Sequence, residues 1–192
     1  IFNLITMIAK INNSPCTITP NFRAIKVASA TNKLKKEVTK IDIYELTQDD
    51  YATLQKLKEK LDFKKIAPFV PKEGQKRWKD VLDYCIDQTI NDSNNKTFIG
   101  VSRNKLCGIL TYFKDGSTYT ADGICSIPNG EKKTNLLGKT LLYHLFKIAH
   151  EDNAHSIKLE AVVDGPYDAI SKYKELGFKR IEDIITTGNQ KK

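Results

Sequence analysis

Residues 117–152 read STYTADGICSIPNGEKKTNLLGKTLLYHLFKIAHED. The first part, Ser117 to Ile127, carries β-branched and aromatic residues at both ends and predicts a strand. Pro128-Asn129-Gly130 ends it, because proline has no amide to donate and Asn-Gly favours a turn. From Leu136 the spacing changes: Leu137, Leu141, Leu142, Leu145, Phe146, Ile148 and Ala149 recur at helical intervals, predicting a helix over 136–152. A Lys132-Lys133-Thr134-Asn135 loop thus runs into a helix N-terminus with Gly138 in its first turn. Free amides and the helix dipole favour an anion there, and glycine lets a phosphate approach the backbone. A phosphate-bearing ligand is the expectation at this turn.

Working outward, Ile41 to Leu46 alternates and predicts a strand. Thr47 then caps a helix with Asp50 at N3 and Leu54, Leu57 and Leu61 on its apolar stripe. Pro68 and Pro71 break the chain before a second helix over about 74–90, burying Trp78, Val81, Leu82, Cys85 and Ile86. Residues 97–102 and 106–113 are two strands joined at Arg103-Asn104-Lys105, and Asp115-Gly116 turns the chain into the 117–127 strand. A strand over 156–163, a short helix over 167–176 closed by Gly177 at C′, and a strand over 178–185 complete the chain. The order is β-α-α-β-β-β-α-β-α-β, an α+β (α/β three-layer) fold with a mixed, mainly antiparallel central sheet and helices on both faces. The helical crossover makes the fourth and fifth strands of this order parallel. Residues 1–40 read as an N-terminal extension to a domain over 41–192. Within the extension 21–28 alternates loosely as a further strand, and 31–40 reads as a linker or short helix.

Ala169-Ile170-Ser171-Lys172-Tyr173-Lys174-Glu175-Leu176-Gly177-Phe178 resembles the A-x-x-x-Y-x-x-x-G-F segment of the GNAT superfamily of acetyl-CoA-dependent N-acetyltransferases. Lys133-Thr134-Asn135-Leu136-Leu137-Gly138 is similar to that family's pyrophosphate loop, Q/R-x-x-G-x-G/A. It differs in having Lys133 for the Gln or Arg and Leu136 for the first glycine. Gly138 and Gly177 stand 39 positions apart, close to the family's usual separation, and the resemblance spans about 41–186. It implies an acyltransferase with acetyl-CoA as co-substrate, no metal, and direct transfer of the acetyl group to a primary amine. The sheet is expected to splay between the fourth and fifth strands to admit pantetheine. The cofactor site falls on Ile124 and Ser126 of the fourth strand, Lys133, Leu136 to Thr140 (Leu136, Leu137, Gly138, Lys139, Thr140) and Tyr173. Tyr173 matches the family's general acid for the thiolate. The base, needed because only a neutral amine has a lone pair to attack with, falls on Asp122, with Glu160 in reserve. The different-class alternative is a degenerate GNAT module that binds CoA or a protein partner without catalysis.

Gly138-Lys139-Thr140 also imitates the tail of a nucleotide P-loop, but that pattern needs glycine at 133, where Lys133 stands. His144, His150 and His155 have no carboxylate or cysteine at metal spacing and read as surface or helix residues. With a net charge of +8 and a pI of about 9.2, nucleic acid is a minority reading, since no zinc-finger or aromatic-basic RNA signature accompanies the charge. The same charge argues mildly against polyamine or aminoglycoside acceptors and for a peptide, a protein N-terminus or an acidic metabolite. A homodimer stays open. No apolar run approaches the ~20 residues of a membrane span. The opening Ile1 to Ala9 lacks a basic start and a cleavage site, and Cys16, Cys85, Cys107 and Cys125 form no Cys-x-x-Cys pair. Reduced thiols in the cytoplasm are the expectation.

Overall fold

The computed structural model describes residues 23–34, 37–103, 105–127, 136–161 and 168–180. They fall in two compact units, one ending at Glu160 and the other beginning at Ala161.

The first unit holds a six-stranded sheet in sequence order: β1 (Ile25–Leu34), β2 (Glu37–Glu45), β3 (Lys96–Ser102), β4 (Lys105–Asp115), β5 (Thr118–Ser126) and β6 (Ser156–Leu159). All neighbours are antiparallel except β5 and β6, which pair in parallel across the predicted helical crossover. The reading of 31–40 as linker or helix is overturned. Asn32 pairs with Thr39 and Lys33 with Val38 in a hairpin, so β2 runs across the 40/41 boundary. Gly116, at φ 55°, makes the Asp115-Gly116 turn where a side chain would be strained.

Thr47 and Asp50 open the helical region as expected. The Thr47 amide donates to Asp50 Oδ2 at 2.8 Å and its hydroxyl donates to the same oxygen at 3.0 Å. A 3₁₀ turn (Gln48–Asp50) leads into α1 (Tyr51–Lys60), with Leu54 and Leu57 buried. A four-residue helix not foreseen, α2 (Phe63–Ile66), follows, and Asp62 caps it by accepting from the Lys64 amide. Gln75 Nε2 donates to the carbonyls of Ala67 and Val70, closing the proline-bounded turn before α3 (Lys72–Asn91).

Neighbouring residues of a strand face opposite sides, and here they meet different helices. Ile99, Val101, Ile109 and Cys125 share one buried cluster with Leu54, Phe63, Trp78, Leu82, Cys85 and Ile86 of α1–α3. The other face receives α4 (Leu137–Glu151), whose Leu137, Leu141, Leu142 and Leu145 are buried. Leu137 enters a slot floored by two glycines: a Cβ on Gly100 would lie 2.5 Å from its Cδ1, and one on Gly108 would collide with its Cδ2. The same face carries a stack of Phe98, Tyr112 and Tyr119, with His144 edge-on to Phe98 at 4.7 Å.

The second unit contains α5 (Ala169–Glu175), capped by Asp168, which accepts from the Ser171 amide at 3.0 Å. Gly177, at φ 91°, ends it as predicted. Residues 178–180 carry no strand, and the rest of the predicted last strand lies outside the described residues.

Candidate functional site

Three features meet around β5: an early end to its pairing with β6, a bulge, and the start of α4.

Pairing with β6 runs from Thr118↔Ser156 to Ala121↔Leu159. Strand β5 then continues to Ser126, and among the described residues 122–126 have no partner on that side. On its other edge, Tyr112 pairs with Ala121 and Thr111 with Gly123, which leaves Asp122 as an extra residue in a β-bulge. The bulge turns Asp122 toward α3, where the Tyr84 hydroxyl donates to its Oδ1 at 2.9 Å. Asp122 Oδ2 is closed to solvent and has no hydrogen-bond partner. Asp122 is therefore not the solvent-facing strand residue that Gly123 alone would suggest.

Gly123 allows this close approach. A Cβ there would lie 2.8 Å from Cys85 Sγ and 3.0 Å from Thr111 Oγ1. Cys85, Cys107 and Cys125 are buried thiols in no disulfide. Burial pushes the Cys85 thiol well up and that of Cys125 to about 12, which leaves both un-ionised. The Tyr84 phenol is pushed up to about 12, first by desolvation and then by its hydrogen bond to Asp122, with Cys85 and Glu160 adding to the effect. Sequence reasoning missed Tyr84. The one available signal was Asp122-Gly123 inside a strand pattern, which marks a bulge without saying what it meets.

On the opposite face α4 begins with Leu136 in the left-handed region (φ 59°, ψ 16°), the conformation the resemblance's first glycine would adopt without strain. Thr140 is the first residue to bond back within the helix, its amide donating to the Leu136 carbonyl at 2.8 Å. The amides of Leu137, Gly138 and Lys139 precede any such partner and point out of the helix start. Among the described residues, a Cβ on Gly138 would meet only Ile124 Cδ1, at 3.6 Å, so the turn lies against the far end of β5. Leu137 contributes main chain alone, its side chain being buried in the glycine slot. The Thr140 hydroxyl is committed: it donates to the Leu136 carbonyl and accepts from Asn32 Nδ2 at 2.7 Å. Lys139 Nζ lies 5.3 Å from the centre of the Tyr143 ring. Ser126 offers its carbonyl to Trp78 Nε1 at 2.6 Å.

Lys133 and the rest of the 128–135 loop lie outside the described residues. Glu160 is exposed, just past the end of β6. Tyr173 belongs to the second unit, half-buried and edge-on to Phe178 at 6.0 Å. A groove of about 990 Å³ between the C-terminal half of α4 and the strands, lined by Phe98, Tyr112, Tyr119 and His144, shares no residue with this site. Among the described residues no group of three or more His, Cys, Asp or Glu could hold a metal ion, and no helix is long and apolar enough to cross a membrane.

The sequence matches no protein-family model and no curated protein. Among solved structures, it is similar to a ribosomal-protein-alanine N-acetyltransferase from Brucella melitensis biovar Abortus 2308. The TM-score is 0.51 at 15% identity, over 73% of this chain and 93% of that one. The chain has the GNAT fold. Two further similar structures are the PaiA N-acetyltransferase of Thermoplasma acidophilum in complex with coenzyme A and an aminoglycoside N-acetyltransferase in complex with CoA. The first has 20% identity, a TM-score of 0.46, and coverage of 72% of this chain and 89% of that one. The second has 15% identity, a TM-score of 0.45, and coverage of 77% and 93%. The sheet with one parallel pair, and a helix crossing between its two strands, is the arrangement that the predicted order of elements implied.

Proposed function

We propose that this chain is an acetyl-CoA-dependent N-acetyltransferase that moves an acetyl group directly to a primary amine. The observation that carries the reading is the start of α4, whose first amides have no helical partner, beside a strand whose described pairing with β6 ends at Ala121↔Leu159. Helix-start amides suit a pyrophosphate, and an extended, amide-bearing pantetheine arm would pair with the edge of β5 beyond Ala121.

In this reading the amides of Leu137, Gly138 and Lys139 hold the pyrophosphate, with Lys139 and Lys133 supplying charge. The main chain of Ile124 and Ser126 orients the arm. An amine arriving as ammonium gives a proton toward Asp122, its lone pair attacks the thioester carbonyl carbon, and the C–N bond forms as the C–S bond breaks. Tyr173 protonates the departing thiolate and regains a proton from the newly acylated nitrogen, which leaves a neutral amide. Asp122 is preferred to Glu160 as the base because it lies on the bulge of β5, beside Ile124.

Acetyl-CoA titration by calorimetry, followed by thiol release over a panel of primary amines, tests the reading. Gly138→Glu is expected to abolish acetyl-CoA binding, because it places a carboxylate where the pyrophosphate would lie. Unchanged affinity in that variant would remove the site from α4.

A further inference from the structure

Acyl transfer to an ammonium requires a path for one proton, and the structure restricts that path. Asp122 Oδ2 is closed to solvent and without a partner, while Oδ1 is engaged by the Tyr84 hydroxyl at 2.9 Å. Tyr84 itself is 44% exposed. Its ring is anchored against the Gly123 backbone, since a Cβ at 123 would lie 3.4 Å from Tyr84 Cδ1. Along this line a proton from solvent or substrate meets the phenol before the carboxylate. We propose that Tyr84 is a catalytic residue: it accepts the proton of the acceptor ammonium while passing its own to Asp122 Oδ1.

This relay rests on the acetyltransfer reading above. One ammonium N–H bond breaks as an O–H bond forms on Tyr84 oxygen. The original phenolic O–H breaks as a new one forms on Asp122, so the tyrosine ends as it began. The net change is ammonium plus carboxylate to amine plus carboxylic acid, and the freed lone pair attacks the thioester. The titratable groups acting on the phenol are Asp122 on β5, Glu160 beyond β6 and Cys85 on its own helix, and all three raise its pKa. A phenol held at about 12 keeps its proton throughout the working range, which suits a relay and excludes a standing tyrosinate base. Two carboxylates and no cation in that set also favour an acceptor whose amine is positively charged. This local acidity offsets the inference drawn from net charge, which favoured acidic acceptors.

The test compares wild type with Tyr84→Phe, which keeps the ring and removes the hydroxyl. The probes are an alanyl dipeptide, whose α-amino group titrates near pH ~8, and putrescine. Thiol release is measured from below to above that pH. With the alanyl probe the relay predicts a deficit in kcat/KM of roughly a hundredfold at the acid end. That deficit should shrink to within a few-fold where the amine arrives neutral and no proton must be taken. Asp122→Asn should show the same pH pattern, and the double variant should lose no more than either single one. Acetyl-CoA affinity should be unchanged in all three. A deficit equal at every pH, or none, with wild type active, would overturn the relay and leave acetyltransfer standing. Absence of thiol release from wild type with every amine, despite acetyl-CoA binding, would overturn both.

Discussion

The wedge of Leu137 between Gly100 and Gly108 makes the start of α4 testable by stability alone. Leu137 is buried, 1% exposed, with one methyl over each glycine. Leu137→Ala removes those contacts and is expected to cost about 3 kcal/mol. Gly100→Ala places a methyl 2.5 Å from Cδ1, and its next neighbour is Ile41 Cγ2 at 3.6 Å. Leu137 has no room to swing away because its other methyl abuts Gly108, so overpacking of about 1–3 kcal/mol is expected. Combining Gly100→Ala with Leu137→Ala removes the clash and partly fills the void. The pair should then cost less than the sum of its parts by about 1–2 kcal/mol. Gly108→Ala is different: its methyl also meets the Cys125 carbonyl oxygen at 2.6 Å, a main-chain atom that truncating Leu137 does not move. Its coupling to Leu137→Ala should be the smaller of the two. Urea denaturation at constant m-value measures all five variants. Additivity of the Gly100 pair within about 0.5 kcal/mol, or equal rescue of both glycine variants, would refute the wedge.

Tyr173→Phe keeps the ring and removes the proton proposed for the thiolate. Turnover should fall roughly ten- to a thousand-fold with acetyl-CoA affinity unchanged, and equal turnover where chemistry limits the rate would reduce Tyr173 to packing. Leu136→Gly relieves a left-handed leucine worth about 1–2 kcal/mol but adds glycine's flexibility, about 0.5–1 kcal/mol, so stability should barely move. Acetyl-CoA should bind several-fold tighter to this variant, and weaker binding measured by calorimetry would count against a phosphate at that turn. Burial first, then Lys147, hold His144 below its ordinary value, opposed by Glu151 and Glu45. A histidine kept neutral in the folded state contributes stability above its unfolded value of ~6.5, which is lost as pH falls through the lower folded value. Denaturation midpoints at pH ~7.5 and ~5.5 should therefore differ more in wild type than in His144→Asn, and equal differences would refute the effect.

The elements around the site were legible because their residues obey one period each. Leu137, Leu141, Leu142 and Leu145 face one sheet, and the strands from Lys96 to Ser126 are bounded by turns that named themselves. The β1–β2 hairpin was not legible. Its outer strand is a sheet edge, with Ile25, Val27 and most of its neighbours exposed, so no buried face imposed alternation on Ile25 to Leu34. Helix α2 is four residues just before Pro68, too short to show a period. Position 138 could be read as an open turn from its glycine. The left-handed turn at Leu136 could not, because leucine is the wrong residue for it. Asp122 was visible as an acid on a strand, but its partner Tyr84 is 38 residues away, joined only by the bulge.

The chain contains one tryptophan, and its indole is bonded to Ser126, the last residue of β5. Trp78 is 6% exposed, sits 6.3 Å from the Phe63 ring and donates to the Ser126 carbonyl at 2.6 Å. Its emission thus has a single origin, a dry pocket directly beneath the strand end from which the chain departs toward α4. Any ligand that draws Ser126 outward lengthens that hydrogen bond and changes the dielectric around the indole. Indole emission excited beyond the tyrosine absorption would then follow occupancy at this end of the strand in real time.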